Sequence, residues 1–72
     1  MAINQLRLRI AAEMRTGPQH LLGVTAAEIA RGIGRPVGAV YRELTAMESA
    51  RMVHGERYGK SRAKKWVLIN GR

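Results

Sequence analysis

Between Thr25 and Met47 the apolar residues recur at helical spacing in two blocks parted by glycines and a proline. Ile29, Ala30 and Ile33 make the first block, and Val37, Val40, Leu44 and Met47 the second, with Tyr41 at its edge. At ~100° per residue, intervals of three and four gather each block on one side of a helix. After Arg51 the pattern changes. Met52 to Tyr58 and Lys65 to Ile69 read as two strands, the second with Trp66 and Leu68 on one face, joined by the polar loop Gly59-Lys60-Ser61-Arg62-Ala63-Lys64. Upstream, Ile3, Leu6, Ile10 and Met14 form a third helical stripe over residues 3 to 15, stopped by Gly17-Pro18. Residues 21 to 24, Leu-Leu-Gly-Val, supply a further short strand. The predicted order is helix, strand, helix, helix, strand, strand: a small α+β domain spanning 1–72, with three helices and a two- to three-stranded antiparallel sheet.

Local chemistry sets several of the boundaries. Thr25 and Glu28 stand at capping-box spacing, so the threonine hydroxyl accepts from the Glu28 N–H while the glutamate reaches back to the Thr25 N–H. Val24 and Ile29 are placed for a hydrophobic staple across that start. Gly32 and Gly34 end the helix after about two turns, because glycine suits a left-handed cap. Pro36 then opens the next helix, residues 36 to about 50, as its first position. At the far end Arg51 would cost ~1 kcal/mol if its position is left-handed.

The other face of the 36–50 helix points to a function. Gly38, Ala39, Arg42, Thr45 and Ser49 lie opposite the apolar stripe, with small residues at the N-terminal end and an arginine one turn in. Such a face admits a nucleic-acid backbone closely and lets a guanidinium reach a base edge or phosphate. The loop beyond adds Arg57, Lys60, Arg62, Lys64 and Lys65, with no acid among residues 57–65. Thr25 and Arg35 at the two helix starts, Tyr41 and Ser61 complete the candidate nucleic-acid-binding set.

Charge supports this reading. The chain carries +8 formal charges, unevenly placed. Residues 1 to 24 hold three basic and one acidic residue, residues 25 to 50 three of each, and residues 51 to 72 seven and one. A field of that sign favours a polyanion, nucleic acid being the commonest; no long basic amphipathic helix suggests a membrane surface. Seventy-two residues form a thin core, too small to wrap a deep catalytic pocket. No cysteine is present, which removes disulfide and thiolate-metal chemistry and permits a reducing compartment. His20 and His54 are far apart in sequence without a Cys or Asp companion, and neither a nucleophile-base pair nor a phosphate-cradling loop stands out. The expectation is a non-enzymatic cytoplasmic protein without signal peptide, membrane span, metal, cofactor or small-molecule ligand. Leu8 and Ala12, turned away from the N-terminal stripe, are the candidate contacts for a weak homodimer or one formed on DNA.

The run Gly38-Ala39-Val40-Tyr41-Arg42-Glu43-Leu44, with Met47-Glu48 and Met52-Val53 after it, resembles the recognition helix and first wing strand of PadR-type and MarR-type regulators of the winged helix-turn-helix superfamily. The likeness runs from Thr25 to Ile69. It implies sequence-specific binding to double-stranded DNA and transcription regulation, with helix 36–50 in the major groove and wing 57–65 on phosphates or the minor groove. The extra helices those families use to dimerise and sense ligands are not expected here, which favours constitutive binding. Three other readings stay open: an RNA-binding or ribosomal-type winged helix, a module that binds RNA polymerase or another regulator, and a Z-form nucleic-acid binder. Gly34-Arg35-Pro36, Arg42, Leu44 and Trp66 resemble the last family, but Tyr41 stands at its helix asparagine and Ala63-Lys64-Lys65 replace its wing prolines.

Overall fold

The computed structural model describes residues 4–17, 23–60 and 63–69. Its elements are α1 (Gln5–Thr16), β1 (Val24–Thr25), α2 (Ala26–Ile33), α3 (Val37–Ser49), β2 (Val53–Glu56) and β3 (Lys65–Leu68), the order predicted from sequence. The sheet runs β1-β3-β2 and both pairings are antiparallel. Three helices pack against an open three-stranded sheet, the α+β layout of a small winged helix.

α1 starts later than the stripe suggested because Asn4 caps it, its side chain accepting from the Arg7 N–H at 3.0 Å. Ile3 and Pro18 lie outside the described residues, as do Leu21 and Leu22. Ile10, Ala11 and Met14 are buried, with Leu6 partly so. α2 begins where its capping box placed it, with Glu28 N–H to Thr25 Oγ1 at 3.1 Å and Thr25 N–H to Glu28 Oε1 at 2.9 Å. It ends on Gly34, left-handed at φ 69°, and Arg35 N–H bonds back to the Ala30 carbonyl.

α3 departs from expectation at its start. Pro36 is the cap rather than the first helical residue: its ψ of 138° is extended, and its carbonyl accepts from the Val40 N–H. Val37 does not belong to the buried stripe. Val40, Leu44 and Met47 are fully buried while Val37 is 48% exposed, because the first turn of α3 overhangs the core. At the C-terminus Arg51 is left-handed at φ 62°. Arg51 N–H bonds the Glu48 carbonyl and Met52 N–H the Met47 carbonyl, a Schellman closure made without glycine.

Both hairpin strands are shorter than read from alternation. The Met52 N–H terminates α3, so the β2 ladder starts at Val53, and Arg57 and Tyr58 have left it. Within the hairpin Gly55 faces Trp66. A Cβ on Gly55 would sit 2.7 Å from Trp66 Cε3, so only glycine lets the indole lie across the neighbouring strand. Trp66 is thereby the largest side chain of a core completed by Ile10, Ile29, Val40, Leu44, Met47 and Val53.

Candidate nucleic-acid interface

Burial of Val40, Leu44 and Met47 turns Gly38, Arg42, Thr45 and Ser49 outward on α3. Gly38 has open space where a Cβ would stand, and Arg42 has no bonded partner among the described residues. Thr45 is exposed, but its hydroxyl donates to the Tyr41 carbonyl at 3.0 Å, leaving only its lone pairs for a ligand. Ala39 is half-buried rather than fully on the free face. Arg35 is exposed two residues ahead of the helix.

Tyr41 and Lys64 are set by Trp66. The Tyr41 ring meets the indole edge-on, with centroids 5.9 Å apart and planes at 84°. Lys64 Nζ lies 5.3 Å from the indole centroid and 4.0 Å from Glu48 Oε1. Its ammonium is therefore turned toward the protein, where the sequence reading had it facing out with the rest of the loop. Arg57 and Lys60 are exposed, and Lys65 is half-buried opposite Thr25 and Glu56 in the sheet. Ser61 and Arg62 lie outside the described residues. Thr25 is half-buried, and its hydroxyl, though accepting within the capping box, retains its own hydrogen to donate.

Sequence reasoning missed two features. Glu48 joins α3 to the wing: Oε2 accepts the Gly55 N–H at 3.0 Å, and the same oxygen is 3.7 Å from His54 Nδ1. Its position seven residues after Tyr41, on the same side of the helix, was the available signal. The second is a depression of about 190 Å³ between the start of α2 (Thr25, Ala26, Ala27), the first turns of α3 (Val37, Tyr41) and the wing base (Ala63, Lys64, Trp66). It makes the helix and the wing one continuous surface.

No protein-family model and no curated protein matches the sequence. The candidate interface therefore stands on its own geometry. Among the described residues no His, Asp or Glu side chains cluster as a metal site, and no helix is long and apolar enough to cross a membrane. Leu8 (53% exposed) and Ala12 are both exposed on α1.

Proposed function

We propose that this protein is a sequence-reading double-stranded DNA-binding protein that regulates transcription in the cytoplasm, associated with the nucleoid. The observation that carries this reading is the division of α3 into a sealed stripe and an outward face of Gly38, Arg42 and Thr45, adjoining a wing half that holds most of the net charge. The first turns of α3 would meet base edges in the major groove. Arg35, Arg57, Lys60 and Lys65 would neutralise flanking phosphates, giving affinity and register without sequence information. A single module of this size covers a short site, so specific regulation favours two copies on a repeated sequence, with Leu8 and Ala12 as the spare apolar contacts.

The test is binding to duplex DNA as a function of salt. Contact with ~6 phosphates gives a slope of log K against log salt of roughly −5. A slope near zero, or stronger binding to a structured RNA than to any duplex at matched salt, would sink the proposal.

A further inference from the structure

Val37 continues the apolar stripe of α3 in sequence, yet the fold leaves it 48% exposed in the first turn. One turn on, Tyr41 is 38% exposed on the same side. Both line the depression of about 190 Å³ whose further walls include Ala27 and, from the wing, Lys64 and Trp66. Core packing explains neither exposure, since Val40, Leu44 and Met47 already seal α3. The surroundings are cationic: Lys64 stands in the wall, and Arg35 and Arg42 are exposed at either side of this turn in sequence. Gly38, next to Val37, has nothing within 4 Å of its Cβ position, so the turn can be approached closely.

An apolar cup among cations fits a small apolar group carried by a polyanion. In the major groove of duplex DNA that group is the C5-methyl of thymine, shared by 5-methylcytosine. Building on the DNA-binding reading above, we infer that Val37 and Tyr41 form the receptor for the 5-methyl group of a pyrimidine at a defined position of the bound site. Val37 supplies the branched apolar contact from the helix turn that meets base edges, and the Tyr41 ring, held edge-on by Trp66, closes the cup. Arg35, exposed two residues ahead of the helix, would hold a neighbouring phosphate. Specificity then rests on an apolar contact as well as on hydrogen bonding, and a methylated cytosine is preferred over an unmethylated one at that position.

The experiment selects bound duplexes from a random pool and replaces each thymine of the preferred site in turn by deoxyuridine, which removes the methyl and keeps the pairing. Loss of one buried methyl predicts binding about fourfold weaker at one or two positions and unchanged elsewhere. At such a position 5-methylcytosine binds better than cytosine, and Val37→Ser, with its unfolding midpoint measured alongside, abolishes the thymine-uracil difference. Equal binding of every deoxyuridine duplex by the unaltered protein overturns the methyl receptor and leaves the DNA-binding reading standing. Failure to bind any duplex overturns both.

Discussion

The Glu48 carboxylate accepts the Gly55 backbone N–H at 3.0 Å, so a helix side chain covers a donor on the outer edge of β2. An unpaired N–H on an edge strand invites pairing with another chain, and Glu48 closes that opening. Glu48→Ala leaves the buried Gly55 without this acceptor and should cost ~1 to 3 kcal/mol in denaturant unfolding. Glu48→Gln keeps an oxygen for Gly55 while removing the charge that lies 4.0 Å from Lys64. It should change stability by less than ~1 kcal/mol and tighten DNA binding, because the freed ammonium joins the field of the wing. Weaker binding by a stable Glu48→Gln protein would refute this account of Lys64.

Gly55→Ala should be among the most damaging single-methyl additions in the chain. The new Cβ meets the Trp66 ring at 2.7 Å, and the indole is fully buried, so one of the two must shift. Overpacking of this kind costs ~1 to 3 kcal/mol. Thermal unfolding checks it, and an unchanged midpoint would show that the indole can shift.

Arg51→Gly acts in the other direction. Arg51 holds φ 62° at the Schellman position, where a side chain is strained and glycine is not. The substitution should stabilise by ~1 kcal/mol, less whatever glycine loses in the unfolded chain, which for a domain of this size raises the midpoint by up to ~4 to 8 °C.

Helix and wing should separate in binding assays. Arg42→Ala should cost ~1 to 3 kcal/mol on the preferred site and much less on random duplex if its guanidinium reads a base. Joint replacement of Lys60 and Lys65 by Ala should weaken both duplexes alike and flatten the salt slope by about two. Equal losses from Arg42→Ala on both duplexes would make Arg42 a phosphate anchor.

The start of α2 was legible because its determinants are local: Thr25 and Glu28 bond each other across three residues whatever the rest of the chain does. The same holds for Gly34, and for the strained Arg51, whose closures reach back no further than five residues. Periodicity likewise identified which residues of α3 share a face. It could not say how far the partner elements extend along that face, and so it buried Val37 and mistook the cap for the first turn. Tertiary packing decided the first, by ending the buried stripe of α3 at Val40, whereas Pro36 is the cap because its own backbone is extended. The contacts that shape the candidate interface, Tyr41 on Trp66 and Glu48 on Gly55 and Lys64, join residues 7 to 25 positions apart. They depend on the register of β2 against β3 and on where the hairpin lies against α3. Propensity and periodicity act within a few residues, whereas those two relationships arise only when the indole and the apolar stripe are buried together.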